Sequence, residues 1–367
     1  MKYYIIAGEA SGDLHGSNLV RELKKLDAFA SLRGWGGDGM QEAGVDLVKH
    51  YRDLAFMGFT EIVSNLGTIL RNLRFCREDI LAYKPDVLIL IDYPGFNLRI
   101  AKWAKKQGIK VIYYISPQVW AWKENRVKMM KQCIDKMLVI LPFEKEYYKK
   151  KWDWDVEYVG HPLVEVVESQ QTSQQSERVE KNIIALLPGS RKQEIAKKLP
   201  IMLEVVQSFP GYEFVIAQAP SLEAEFYKPF TDPYPNVSSV KNKTYDLLLK
   251  SKAALVTSGT ATLETALFGV PEVVCYKGSA VSYQIAKRVI KVKYISLVNL
   301  IMDKQVVHEL IQHELTAANL EKELKHLLTD TERIRQLKAD YTRLKEILSA
   351  GGHASAKAAR AIIHFLV

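Results

Sequence analysis

Two glycine-punctuated turns, Leu186-Leu-Pro-Gly-Ser-Arg191 and Ser258-Gly-Thr-Ala-Thr-Leu-Glu264, lie in the same half of the chain, and each follows a short apolar run and opens a helix-like stretch. The chemistry this pairing suits is the binding of a diphosphate. A helix N-terminus offers backbone N–H groups without intrahelical partners and a partial positive charge, and glycine lets the backbone approach an anion. The expected contacts are Gly189, Ser190 and Arg191 from the first turn and Ser258, Gly259 and Thr260 from the second, with Arg191 able to add a bidentate contact. Glu264 lies inside the second helix, where a carboxylate can accept both hydroxyls of a ribose. Together these residues read as a nucleoside-diphosphate site.

The first half of the chain carries a second set. Asp92 directly follows Val87-Leu-Ile-Leu-Ile91, so it sits at the carboxyl end of an expected central strand, where α/β active sites are built. A carboxylate there can take the proton of an attacking sugar hydroxyl as a general base, or it can simply cap the next helix. Gly8-Glu-Ala-Ser-Gly-Asp13 is another strand-to-helix turn, followed by His15. Ser11 and Asp13 suit either hydrogen bonding to a sugar or helix capping, and His15 suits an acceptor phosphate. Two further motifs are weaker. Gly34-Trp-Gly-Gly-Asp-Gly39 matches the dinucleotide fingerprint in letters, but no convincing strand precedes it. Asp153-Trp-Asp155 resembles a metal-holding aspartate pair, yet it follows Lys149-Lys-Lys151 and reads as a solvated turn.

The elements that must position these groups alternate along the chain. Tyr3–Ala7, Val87–Ile91, Val111–Ile115 and Met137–Ile140 are compact, apolar and β-branched, with helix-patterned segments between most of them. A second series follows at Asn182–Leu187, Glu213–Ala217, Ala253–Thr257 and Glu272–Tyr276. The pattern predicts an α/β protein of two doubly wound, Rossmann-like domains facing a central cleft, with ligands at the carboxyl ends of the strands. The expected boundaries are an N-terminal domain at 1–165, a polar linker or loop at 166–181, a C-terminal domain at 182–340, and a helical segment at 341–367 that packs back on the first domain.

A length of 367 residues suffices for two cores, and 48% apolar content is ordinary for a globular protein. The net charge of +9 favours anionic partners, but 42 acidic residues are interspersed and no basic tail is present. Cys76, Cys133 and Cys275 are scattered, without metal-ligand spacing, which fits a reducing compartment and the cytosol. Lys2–Ala7 reads as a strand rather than a signal peptide, and no apolar run is long enough to span a membrane, so any membrane contact is expected to be peripheral. Phe56, Phe59, Ile62, Val63, Leu66, Ile69, Leu70 and Leu73 recur at helical spacing, with Arg71, Arg74 and Arg77 close by. That stripe suits an acyl chain or membrane, or an ordinary core helix. Lys123–Lys151 is basic and aromatic, which suits lipid headgroups or plain solvation.

Ten motifs in order give the chain a close resemblance to the lipid-A-disaccharide synthase family, GT-B glycosyltransferases of family 19. They are Gly8–Asp13, Met57-Gly-Phe-Thr-Glu61, Lys84-Pro-Asp86, Asp92 with Pro94 and Phe96-Asn97, Ser116-Pro-Gln-Val-Trp-Ala-Trp122, Leu141-Pro-Phe-Glu-Lys145, Gly160-His161, Leu187–Arg191, Ser258–Glu264 and Ser296-Leu-Val-Asn-Leu300. The resemblance implies transfer from UDP-2,3-diacylglucosamine to 2,3-diacylglucosamine 1-phosphate (lipid X), giving a β-1′,6-linked disaccharide and UDP. It implies Asp92 as catalytic base, Glu9, Ser11, Asp13 and His15 on the acceptor side, and Asn299 near the nucleotide. It implies no metal or other cofactor and no nucleic acid. Its further expectations are peripheral association with the cytoplasmic face of the inner membrane through Phe56, Met57 and the stripe, and a possible homodimer. Related sequences often carry an acid three residues after the catalytic Asp, where this chain has Gly95. An epimerase or hydrolase acting on the UDP-sugar alone, and a non-catalytic nucleotide-binding protein, are the rival readings.

Overall fold

The computed structural model describes residues 1–54, 66–173, 182–279, 283, 292–350 and 352–367. The chain divides into two units, Met1–Pro162 with Ser349–Val367, and Leu163–Leu348.

The first unit is built on a parallel sheet of β1 (Lys2–Ala7), β2 (Ser31–Gly36), β3 (Asp46–His50), β4 (Val87–Ile91), β5 (Lys110–Tyr114), β6 (Lys136–Val139) and β7 (Glu157–Tyr158). Their spatial order is β3-β2-β1-β4-β5-β6-β7. Both faces are covered, which is why β1 and β4 are apolar at every position but Lys2. Tyr4, Ile6, Leu88 and Leu90 belong to the core on one face, and Tyr3, Ile5, Val87, Ile89 and Ile91 to that on the other. Ala358, Ala359 and Ile362 of the last helix, Ala354–Leu366, join the second core beside Leu19, Val20 and Leu23 of the helix Ala10–Leu26.

The second unit repeats the plan with β8 (Ile183–Leu187), β9 (Glu213–Gln218), β10 (Val237–Lys241), β11 (Ser251–Thr257), β12 (Glu272–Tyr276) and β13 (His308–Ile311), all parallel and ordered β10-β9-β8-β11-β12-β13. In each sheet the winding direction reverses between the first and fourth strands in chain order, β1/β4 and β8/β11. Doubly wound sheets bind ligands at that reversal, outside the carboxyl ends of the strands.

Two boundary expectations change, and a discounted motif finds its structural explanation. Residues 166–173, read as part of a linker, continue the helix Leu163–Ser173, whose first half buries Leu163, Val164, Val166 and Val167; residues 174–181 lie outside the described residues. Residues 341–348 belong to the helix Thr331–Ser349 and bury Tyr341, Leu344 and Leu348 in the second unit. Gly34 and Gly36 of the apparent dinucleotide fingerprint are residues of β2 itself, not of a phosphate-binding turn. A methyl group on Gly34 would stand 1.9 Å from the Ile5 carbonyl oxygen, so glycine is required there by the approach of β1.

Candidate active site

The turns following β8 and β11 meet at the second reversal. They line a cavity of about 260 Å³ with Gly189, Ser190, Ser258, Gly259, Thr260 and Glu264, and with Gln218 from the end of β9. Gly189 has φ 120° and Gly259 φ 150°, conformations that L side chains rarely adopt, so each chain can turn directly from strand into helix. The helices that start here are Lys192–Leu203 and Thr260–Leu267. Arg191 stands exposed at the first of them, its guanidinium 3.1 Å from Glu194. Glu264 accepts a hydrogen bond from the Tyr245 hydroxyl at 3.3 Å, and burial pushes its carboxyl above the usual range. Two buried cavity-lining atoms, Gln218 Oε1 and Thr257 Oγ1, have no hydrogen-bond partner among the described residues. Neither residue was singled out from sequence, because a Gln and a Thr at strand ends carry no distinguishing pattern.

Asn299 is placed differently from the expectation that it binds nucleotide. Its side chain is fully buried and its hydrogen-bonding capacity is spent internally. Oδ1 accepts from the Val306 and Val307 N–H groups at 2.7 and 2.9 Å, and Nδ2 donates to the Val307 carbonyl and to Glu309, both at 2.9 Å. Glu309 also accepts from the Ile295 and Ser296 N–H groups, while the Ser258 hydroxyl donates to the Ile295 carbonyl. Asn299 therefore braces the segment against which the Ser258 turn rests. Asn299→Ala would strand two buried N–H donors, and about 3 kcal/mol of stability is the expected loss. An unchanged denaturation midpoint would contradict this bracing role.

In the first unit, the turns after β1 and β4 bring Glu9 and Asp92 to the other reversal. Asp92 and Tyr93 have φ of 44° and 50°, a strained pair for non-glycine residues. The strain is held by donors converging on the Asp92 carbonyl, the Asn97 amide at 2.7 Å and the Tyr113 hydroxyl at 2.5 Å. Pro94 then opens the helix Pro94–Lys106 with its φ already set. Burial, and after it the charge of Glu9, pushes the Asp92 carboxyl up to about 6, while a hydrogen bond from the Tyr93 backbone opposes the shift. A carboxylate of that basicity suits deprotonation of a hydroxyl near neutral pH. Gly95 is exposed with open space around it, so packing does not dictate the missing acid.

The other acceptor-side residues divide. Glu9 and exposed Ser11 flank the start of the helix Ala10–Leu26. Asp13 is committed elsewhere, since its two oxygens accept from the Gly37, Gly39 and Met40 N–H groups at 2.7, 3.0 and 3.0 Å. It pins the start of the helix Asp38–Glu42. His15 is buried, its Nδ1 has no partner among the described residues, and burial pulls it down to about 4. His161 is lowered to about 3 by burial and by His15. His15 is thus neutral at physiological pH and brings no charge to a phosphate. Glu144 is buried and pushed up to about 8 by desolvation, and it ties the Leu141 N–H to the Trp120 indole. Two of the sequence motifs are joined through that contact.

The family model for lipid-A-disaccharide synthetase (LpxB) matches residues 3–363. The chain belongs to this family. The lipid-A-disaccharide synthase of Geobacter metallireducens is 39% identical over 358 residues, covering 95% of this chain and 93% of its own length. That of Syntrophus aciditrophicus is 40% identical over 370 residues, covering 98% and 96%. The fold is shared more widely. UDP-GlcNAc 2-epimerase from Neisseria meningitidis, solved bound to UDP-GlcNAc, superposes with a TM-score of 0.66 at 13% identity, with coverage of 100% of this chain and 99% of that one. The calicheamicin glycosyltransferase CalG4 does so at 0.63 and 16%, with coverage of 100% and 97%. The fold is accordingly the α/β, GT-B type. As a member of the lipid-A-disaccharide synthase family, the chain is a glycosyltransferase of lipid A biosynthesis.

Phe56, Met57, Phe59, Ile62 and Val63 lie outside the described residues, as does the side chain of Leu66. The rest of the stripe splits within the helix Leu66–Tyr83: Leu73 is a core residue and Ile69 packs against the core, while Leu70 is 59% exposed. Arg74 pairs with Glu78 at 2.8 Å, Arg77 lies over the Trp103 ring, and Arg71 is exposed. Asp153 and Asp155 are exposed and share Lys149, which accounts for the apparent metal pair. Among the described residues no helix is long and apolar enough to cross a membrane.

Proposed function

We propose that the enzyme transfers the diacylglucosaminyl group of UDP-2,3-diacylglucosamine to the 6-hydroxyl of 2,3-diacylglucosamine 1-phosphate in a single in-line displacement with inversion. Asp92 removes the hydroxyl proton as the acceptor oxygen attacks the anomeric carbon. The carbon–oxygen bond to the β-phosphate breaks and its electron pair leaves with UDP. Glu264 accepts the ribose hydroxyls. Arg191 and the helix starts at Lys192 and Thr260 meet the charge that develops on the leaving diphosphate. The single observation that carries this reading is the placement of the Asp92 carboxyl in the left-handed turn that follows β4, at the strand reversal, in a family of glycosyltransferases.

Because backbone N–H groups and Arg191 meet the leaving charge, we propose that no metal is required. UDP release should depend on acceptor and persist in EDTA. Release from donor alone would instead indicate the hydrolase or epimerase chemistry, and loss in EDTA would contradict metal independence.

The basicity of Asp92 also sets a pH dependence. The base works deprotonated, so kcat/KM should fall as pH drops through about 6. Since the charge of Glu9 contributes to that value, Glu9→Gln should move the limb to lower pH. A limb that stays in place would separate Glu9 from the base.

The exposed Leu70 and Arg71 support peripheral docking on an anionic membrane surface. Co-flotation with anionic vesicles is the expected result, and protein left at the bottom of the gradient would contradict docking.

A further inference from the structure

The helix Lys192–Leu203 carries three lysines, and one of them occupies a core position. Lys198 is 2% exposed among the buried Ile195, Leu199 and Met202, whereas Lys192 and Lys197 face solvent. An ammonium group removed from water costs several kcal/mol unless an anion and hydrogen bonds replace the lost hydration. Here the compensation is thin. The Lys198 ammonium makes no hydrogen bond among the described residues, and its one carboxylate neighbour, Glu194 Oε2, is 4.0 Å away. The other oxygen of Glu194 is engaged by Arg191. Burial accordingly pulls the lysine below its ordinary pKa, opposed by Glu194.

What lies beside the ammonium is the glycine of the first turn. A methyl group on Gly189 would be 3.6 Å from Lys198 Nζ and 3.0 Å from Glu194 Oε2, so both charged groups lie against the bare face of that residue. Gly189 and Glu194 line the cavity. At this low-dielectric position, a positive charge acts on the turn with less screening than the exposed Arg191.

We propose that Lys198 is a second cation of the diphosphate site, buried behind Gly189, where it attracts the ligand's phosphate charge alongside Arg191. This rests on the reading of the cavity as a diphosphate site, and it makes Lys198 a binding residue that a lysine-rich exposed helix would conceal in the sequence. Glu194 is the shared counter-charge of the two cations.

The test is calorimetric titration of UDP and of uridine into the full-length protein, comparing the unmutated chain with Lys198→Met. The unmutated chain should prefer UDP strongly. Lys198→Met should bind UDP about tenfold more weakly, the scale of one charge-assisted contact, and uridine equally well. Its melting temperature should be unchanged or higher, because an apolar side chain replaces a poorly paired buried charge. Lys198→Gln serves if the methionine variant does not fold, and Lys198→Arg should recover part of the lost affinity. A UDP preference undiminished in the neutral variants overturns the role of Lys198 while leaving the diphosphate site intact. Equal losses for UDP and uridine make the lysine structural and also overturn it. An unmutated chain that binds UDP no better than uridine overturns the reading of the cavity itself.

Discussion

Asp92→Asn is expected to lower kcat by about a thousandfold, roughly 4 kcal/mol of transition-state stabilisation, because it removes the base that takes the acceptor proton. The variant should fold normally. Asparagine is among the few residues that tolerate the left-handed backbone this position requires, and the Asn97 and Tyr113 donors bind the main-chain carbonyl, which the substitution leaves unaltered. UDP affinity should also be unchanged, since the nucleotide is assigned to residues of the second unit. Single-turnover kinetics with UDP titration separates the two effects. A variant that retains more than about a tenth of the rate would hand the proton to another group, given the 10²–10⁴-fold range of such catalysis.

Arg191→Ala should weaken UDP binding by about thirtyfold, close to 2 kcal/mol, the scale of a hydrogen bond between charged groups. It should also slow the chemical step, because the same guanidinium meets the charge of the departing diphosphate. Stability should hardly move. Arg191 is 58% exposed and its partner is a carboxylate three residues along the same helix, a pair of small worth in water. Uridine binding should be unaffected. Equal UDP affinities for the variant and the unmutated chain would remove Arg191 from the site.

The groups legible in the sequence were those whose signal is local. Strands β1, β4, β8, β11 and β12 are continuous apolar runs buried on both faces, and the sequence reading fell within two residues of each. The turns around Gly189 and Gly259 announced themselves by glycine following such a run. What escaped is long-range. β2 reads Ser-Leu-Arg-Gly-Trp-Gly and β10 Val-Ser-Ser-Val-Lys, compositions that become strands only by pairing with β1 and β9. Asp13 and Asn299 have ligand-binding chemistry, and only the fold reveals that Gly37–Met40 and Val306–Val307 consume it. Leu70 and Leu73 are indistinguishable by type, and helix orientation alone makes one surface and the other core.

The role of Lys198 is a case of the same limit. Within Lys192-Gln-Glu-Ile-Ala-Lys-Lys-Leu199 three lysines share one short stretch, and the 3.6-residue period turns one of them inward. A run of positive charge usually marks a solvated face, so the buried member is visible only once the helix is docked.

The most direct measurement is the structure of the product formed by purified protein from UDP-2,3-diacylglucosamine and 2,3-diacylglucosamine 1-phosphate in detergent, with mass giving its composition and NMR the configuration and position of the new linkage. One UDP released for each β-1′,6-linked disaccharide 1-phosphate is the predicted result. An α linkage, attachment at another hydroxyl, or UDP without disaccharide would contradict a single inverting displacement assisted by Asp92.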